Sequence, residues 1–321
     1  MRILVTGGAG YIGSHLVDAL CDAGHEVRVL DDLSTGRVEN IAHRLDEIKL
    51  VNGSVLDAAL VDDEVQQAQL VFHLAATVGV RHIVADPLAS ILTNTRGTEV
   101  VLAACFRYWR KVVVASTSEV YGKTSKVPMC EDDDRVLGPT TVHRWSYSTA
   151  KAIDEHLAFA YAAHGLPIVV VRYFNSYGPR LDEHGYGSVV ANFLRQALAG
   201  EPLTVHGDGG QSRCFTYIDD TVRGTVLAGF TPEAEGLVFN LGSTREITIR
   251  ELAEMIRTAV GSSSGISPTS YESYYGSGFE DTRRRVPDLT RTHEVLNWEP
   301  ELELEDGLAR TIEWWQKTHL E

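Results

Sequence analysis

The chain has 321 residues, 44% of them hydrophobic and 23% charged, with a formal net charge of −15. That is enough apolar material for one large domain or two coupled ones, and it excludes global disorder. The acidic balance disfavours nucleic acid and anionic membranes as partners, although a locally basic pocket can still receive an anionic small molecule.

The first element begins at once. "RILVTG" is an apolar run with no room before it for a signal peptide, and no later run reaches transmembrane length. "YIGSHLVDALCDAG" follows with helical periodicity, then "EVRVLD". The short apolar runs "IKLVNG", "LVFHLAA", "KVVVAS" and "IVVVRYFN" come next, with helical patterns between most of them. Near-continuous Val/Ile/Leu strands separated by helices predict an α/β fold, a doubly wound parallel sheet covered on both faces, over 1–175. After about residue 176 the pattern turns Gly-rich and polar around one helix, and "FNLGS", within a stretch of about 215–242, reads as a return to the sheet. A helix from "TIRELAEMIRTAV", a Ser/Gly-rich stretch over 261–278 and a closing helix "LEDGLARTIEWWQKT" complete the chain. Residues 176–321 are therefore expected to form mainly a smaller C-terminal lobe over the sheet's carboxyl edge. Tyr271, Tyr274 and Tyr275 argue that 261–278 is an ordered lid, and Asp132–Asp134 reads as a solvated loop face. Cys21, Cys105, Cys130 and Cys214 are scattered, without CxxC or Cys/His spacing suited to zinc. No metal site is expected, and reduced thiols in a cytoplasmic protein fit best.

"VTGGAGYIGSH" places Gly7, Gly10 and Gly13 between a strand and a helix. Glycines there permit a tight turn and bring backbone N–H groups close to a pyrophosphate at the helix N-terminus. Asp31 ends the second strand about twenty residues on, where a carboxylate can hold a ribose 2′-OH. Together these predict a Rossmann domain. Asp31 and Asp32 would repel a 2′-phosphate, which favours NAD over NADP, with Arg37 close enough to weigh on the other side. Further along, "HRWSYSTAK" holds Tyr147 and Lys151 at i, i+4, on one face of a predicted helix. A nearby ammonium and the positive nicotinamide of NAD⁺ would favour the phenolate and make Tyr147 a usable base.

"TGGAGYIGSH", "STSEVYG", "YSTAK", "RYFNSYGPR" and "RCFTYIDD" run in this order from residue 6 to about 220, with "NLGS" and "LNWEP" beyond. With them the chain resembles an extended short-chain dehydrogenase/reductase acting on nucleotide sugars. The resemblance implies that Tyr147 deprotonates a sugar 4-OH while the C4 hydride passes to NAD⁺, and that Lys151 holds the nicotinamide ribose. It adds Tyr11, Ile12, Ser54, Ala75, Asn94 and Tyr173 as cofactor-binding positions; Ser54 stands where the family often has Asp. It also implies a homodimer formed through helices that include the one bearing Tyr147.

A 4-keto sugar can be reduced from the other face, lose water, or, if C5 carries a carboxylate, lose CO₂. Related dehydratases carry Asp-Glu where this chain has Ser118-Glu119, and the 4-epimerases usually lack the Glu119 carboxylate. Ser-Glu resembles the UDP-glucuronate decarboxylases, and so does the tail "YYGSGFEDTRRRVPDLTRTHEVLNWEP". By that likeness Ser118, Glu119 and Arg285 join Tyr147 and Lys151 as catalytic residues. By the same likeness Arg144 and Asn175 match sugar-binding positions, Thr204, Arg213 and Phe279 match positions in the nucleotide-diphosphate pocket, and Thr117, Ser118 and Arg285 are further substrate-binding residues. Arg283–Arg285 form a plausible anion site in an acidic chain. Glu119 is expected to place sugar hydroxyls or a water, and to favour CO₂ departure by repulsion. A UDP-hexose 4-epimerase and a catalytically silent NAD-sensing protein are the competing readings. Intact Tyr147 and Lys151 speak against the second.

Overall fold

The computed structural model describes residues 1–79, 83, 86–181, 188–270 and 280–319. Six strands alternate with helices through the first half: β1 (Arg2–Thr6), β2 (Glu26–Asp31), β3 (Lys49–Asn52), β4 (Leu70–His73), β5 (Lys111–Thr117) and β6 (Ile168–Tyr173). The helices between them are α1 (Tyr11–Asp22), α2 (Ala58–Gln67), α3 (Pro87–Tyr108) and α4 (Arg144–Ala163). A seventh strand, β11 (Val238–Leu241), comes from the second half and pairs with β6. All pairings are parallel, in the order β11-β6-β5-β4-β1-β2-β3. The doubly wound α/β expectation therefore holds.

Successive strand residues point to opposite faces, and the core divides accordingly. Ile3, Val5, Val29, Phe72, Val113 and Val171 pack in one cluster, whereas Leu4, Leu30, Val71, Val112, Val114 and Val170 pack in another. Burial on both sides explains why these strands read as unbroken apolar runs. The first face is covered by α1 and by α6 (Ile218–Phe230), and the second by α2, α3 and α4. The strand order reverses between β1 and β4, so a crevice opens at the carboxyl ends of these strands, where α/β sheets bind ligands.

The small strands of the second half position the rest of the site. β7 (Ser176–Tyr177) pairs with β10 (Thr216–Tyr217), and β8 (Leu203–His206) pairs with β13 (Ile266–Thr269). β9 (Ser212–Cys214) lies between β12 (Glu246–Thr248) and β14 (Arg284–Arg285). The parallel β14–β9 register sets Arg285 opposite Arg213. Helices α5 (Val189–Leu198), α7 (Ile249–Val260), α8 (Thr290–Leu296) and α9 (Leu304–His319) complete the lobe. α7 begins with a capping box between Thr248 and Glu251. Among the described residues no helix is long and apolar enough to cross a membrane.

Candidate active site

The glycine turn after β1 is held open by geometry that only glycine allows. Gly7 has φ +72°, and a Cβ there would lie 2.7 Å from the Ala75 nitrogen. A Cβ on Gly13 would lie 2.0 Å from the Gly7 oxygen, so α1 could not approach the turn with any other residue there. Gly10 caps α1 without a side chain over the helix end, which leaves that end open to an anion. Tyr11 and Ile12, at the head of α1, are partly buried. The Tyr11 hydroxyl is buried with no hydrogen-bond partner among the described residues, and burial raises its pKa.

Asp31 is buried at the end of β2, and its carboxylate accepts the Ala9 and Leu33 N–H groups, each at 2.9 Å. Each carboxylate oxygen has a further lone pair for a ribose hydroxyl. Burial raises the Asp31 pKa against those two N–H bonds. Asp32 is exposed and accepts the Ser34 N–H at 3.0 Å. The Ser54 hydroxyl accepts the Leu56 N–H at 3.3 Å, just past β3. Asn94, on α3, exchanges bonds of 2.7 and 3.2 Å with the Thr77 backbone and so ties down the loop that begins near Ala75. The Tyr173 hydroxyl is bonded to Thr225 on α6 at 3.0 Å, which ties the ring to that helix. The glycine cradle, the open α1 terminus and the buried acid at the β2 end fit a dinucleotide.

Tyr147 and Lys151 lie on α4, which crosses the carboxyl end of β5. The Lys151 ammonium is buried, 3.0 Å from the Ala115 carbonyl and 3.1 Å from an Asp154 carboxylate oxygen. Burial, then the charges of Glu119 and Asp154, push the Tyr147 hydroxyl well above its ordinary pKa, against a hydrogen bond with Thr117. A proton acceptor at this hydroxyl therefore needs added positive charge nearby.

Residues 118–121 form a single 3-10 turn. The Thr117 hydroxyl caps it by accepting the Glu119 N–H at 3.2 Å, and Ser148 on α4 donates to the Glu119 carbonyl at 2.7 Å. The turn aims the Glu119 carboxylate at Arg144, which grips it with both terminal nitrogens, one at 3.0 Å. Arg285 stands 3.6 Å from the same carboxylate and 3.4 Å from the Ser118 hydroxyl. Thr282, whose hydroxyl donates to the Gly122 carbonyl, and Met129, paired with Val286 and Asp288, strap the β14 segment onto this turn. Burial alone would raise the Glu119 pKa, but the Arg144 and Arg285 guanidiniums hold it down to about 2. Glu119 is a carboxylate at neutral pH and cannot donate a proton. Burial lowers the Arg285 pKa to about 10; Glu119 opposes this, and Arg213 and Arg144 add to it. Two guanidiniums against one carboxylate leave the cluster positive, so the repulsion expected of Glu119 toward a substrate anion is offset.

The triple arginine divides. Arg283 pairs with Asp208 and Arg284 with Glu246, both exposed, whereas Arg285 is 5% exposed. Arg213 is buried and bound to Asp281 at 2.8 Å. Asn175 (φ 43°) donates to the Cys214 carbonyl at 2.9 Å. The Thr204 hydroxyl on β8 accepts from Gln196 at 2.8 Å. Phe279 and Tyr271, Tyr274 and Tyr275 lie outside the described residues. Sequence reasoning passed over Asp281, four positions before Arg285, and Asp154, three after Lys151. The available signal was an acid at helical spacing from Lys151.

A doubly wound sheet with a glycine-lined dinucleotide crevice and a Tyr–Lys pair defines an NAD-dependent short-chain dehydrogenase/reductase. Residues 3–242 match the NAD dependent epimerase/dehydratase family, and the chain belongs to it. It is 42% identical to a UDP-N-acetyl-alpha-D-glucosaminuronate decarboxylase of Bacillus cytotoxicus, covering 98% of both chains. It is 38% identical to UDP-glucuronic acid decarboxylase 1 of Xenopus tropicalis, over 98% of this chain and 72% of that one. The crystal structure of a UDP-glucose 4-epimerase with UDP-glucose from Thermotoga maritima superposes with a TM-score of 0.90 at 35% identity, over 100% of both chains.

Proposed function

We propose that the chain is an NAD-dependent decarboxylase of a UDP-hexuronic acid, with UDP-glucuronate as the substrate read from its residues. The observation that carries this reading is the buried positive cluster of Arg144 and Arg285 around Glu119, directly after Thr117 and Ser118 at the end of β5. A UDP-hexose offers a diphosphate but no sugar carboxylate, so guanidiniums gathered around the turn that carries Ser118 and Glu119 suit a uronate better than a neutral hexose. Residues 1–175 would hold the cofactor and 176–321 mainly the nucleotide sugar, with 215–242 returning to the sheet.

Tyr147 removes the 4-OH proton, helped by the Lys151 charge. NAD⁺, held by the glycine turn, Asp31 and Lys151, would supply a positive charge and a hydride acceptor for C4. The resulting ketone lies β to the uronate carboxyl group. Arg285 holds that carboxylate out of the ring plane, so that the C5–C6 bond lies along the carbonyl π system. The bond breaks, its electron pair enters the C4–C5 enolate, and CO₂ leaves. Tyr147, now protonated, donates a hydrogen bond to the enolate oxygen. Arg285 positions a water that returns a proton to C5. Glu119 orients Arg285 and that water, and Arg213 and Thr204 serve the UDP moiety. The product is UDP-xylose or the UDP-4-keto-pentose.

A second reading, a 2-acetamido uronate in place of the 2-hydroxy one, is favoured by the 42% identity to the Bacillus cytotoxicus enzyme. We also infer a cytoplasmic homodimer. Leu88, Ile91 and Leu92 on α3 and Ile153 on α4 are exposed, an apolar stripe at helical spacing, and sedimentation should give twice the chain mass. The functional test incubates purified protein with NAD⁺ and, in separate reactions, UDP-glucuronate, UDP-N-acetylglucosaminuronate and UDP-glucose. CO₂ from a uronate is expected, and the faster uronate identifies the C2 substituent. Rapid UDP-glucose/UDP-galactose interconversion without CO₂ from either uronate would refute the proposal.

A further inference from the structure

Asp154 has no part in the chemistry above, yet it lies at the centre of the oxidising machinery. It is fully buried on α4, three residues after Lys151 and seven after Tyr147. A buried carboxylate is costly unless paired and hydrogen-bonded. Its charged neighbour is Lys151, 3.1 Å away, and among the described residues neither of its oxygens has a hydrogen bond of good geometry. Thr98 approaches it from α3, but the Thr98 hydroxyl already donates to the Asn94 carbonyl at 2.8 Å and meets His73 Nε2 at 3.0 Å. His73 on β4 stays neutral, since burial and then the Lys151 charge lower its pKa to about 3. No second cation backs Asp154 from these elements, and Glu155, the next residue, opposes it. A hydrophobic residue here would cost less, so a carboxylate calls for a reason.

Lys151 supplies one. Its ammonium has three N–H groups. One goes to the Ala115 carbonyl and one lies toward Asp154. We propose that Asp154 is the positioning residue of the oxidising pair: it fixes the Lys151 ammonium from beneath, leaving one N–H for the crevice, and its charge offsets that of Lys151 at the Tyr147 hydroxyl. The proposal rests on reading Tyr147 and Lys151 as the oxidising pair and not on which UDP-sugar is oxidised. Tyr147 is faced by Glu119 from the turn after β5, with Thr117 beside it, and by Arg144 and Asp154 on its own helix, where Lys151 stands one turn further on. Asp154 is the nearest anion on the lysine side, about 10 Å of helix rise from Tyr147.

The test is Asp154→Asn, with Asp154→Ser as a second neutral variant able to take a water beside Lys151. Removing the anion leaves the Lys151 charge less opposed, so phenolate becomes easier to form. The acidic limb of kcat/KM, measured on whichever UDP-sugar the wild type oxidises, should move down by roughly one pH unit. Ultraviolet difference titration of the NAD⁺ complex, with the Tyr147→Phe complex as the blank, should show the same downward shift without substrate. NAD⁺ should bind several-fold more weakly, as the free N–H loses its direction. A purely structural role would lower Tm and leave both titrations where they were, and that result would overturn the proposal. A protonated, uncharged Asp154 in the wild type would likewise give no shift.

Discussion

Two arginine–glutamate pairs with buried arginines flank the end of β5, and they are finished differently. Arg172 on β6 donates to Glu155 at 2.9 and 2.6 Å, and its remaining terminal nitrogen donates to the Tyr121 hydroxyl at 2.8 Å and the Glu131 carbonyl at 2.9 Å. Ser116 donates to the same Glu155, and the Tyr121 hydroxyl donates to the Asn240 side-chain oxygen. Each Arg172 nitrogen has a protein partner, which is how buried charge is tolerated in a fold. Arg285 is about as deeply buried, but among the described residues it makes only the long contacts to Ser118 and Glu119, and its Nε has no partner there. A buried guanidinium left short of acceptors is costly to the protein alone. It is worth keeping if an anion completes it. The comparison separates a structural ion pair from one held ready for a ligand, although both are Arg–Glu in sequence.

The largest effect should fall beside the open pair. Tyr147→Phe should lower turnover about 10²–10⁴-fold, the scale of a positioned acid–base group, with binding of UDP-sugar and the thermal midpoint retained. Near-wild-type turnover would mean that another base operates. Breaking the closed pair should instead show in stability. Arg172→Met leaves Glu155 uncompensated in the core and should cost about 3–5 kcal/mol in denaturant unfolding. Arg285→Met should change unfolding by no more than about 1 kcal/mol, because Glu119 keeps Arg144, while kcat/KM falls about 10–100-fold through both a higher KM and a lower kcat. Equal stability losses in the two arginine variants would erase the distinction.

The smallest effect is confined to acid. Glu119 has its folded-state pKa depressed to about 2, below the roughly 4.3 of an unfolded glutamate. Its contribution to stability is therefore present above pH ~4.3 and lost as pH falls toward ~2. The difference in unfolding free energy between wild type and Glu119→Gln should shrink across that window, and a constant difference would show that the arginines do not hold this carboxylate.

The closed pair and the open one were not equally legible in the sequence. The parallel sheet, the glycine turn and Asp31 follow from local rules, since alternating strand burial and a glycine-only turn leave residue-level marks. Tyr147 and Lys151 were legible as helical spacing. Arg285 was not separable from Arg283 and Arg284 by composition; only the β14–β9 register and the strap through Thr282 and Met129 turn one arginine inward and leave two in solvent. The same holds for Arg144, whose position at the start of α4 says nothing of Glu119 until the 3-10 turn sets the two face to face. Asp154 was passed over because an acid on a helix is usually solvated, and only the packing of α3 on α4 buries it. Pair contacts that depend on tertiary register are absent from any local pattern.

In the proposed reaction the open cluster serves decarboxylation and not oxidation. Single-turnover reaction of Glu119→Gln with UDP-glucuronate, or with the uronate the wild type prefers, tests it by following nicotinamide reduction and CO₂ release together. The amide keeps the shape and removes the charge that orients Arg285. On this assignment reduction still proceeds, while CO₂ release is slowed well below the wild-type rate. Decarboxylation at the wild-type rate would contradict it and make Glu119 a passive charge beside the site.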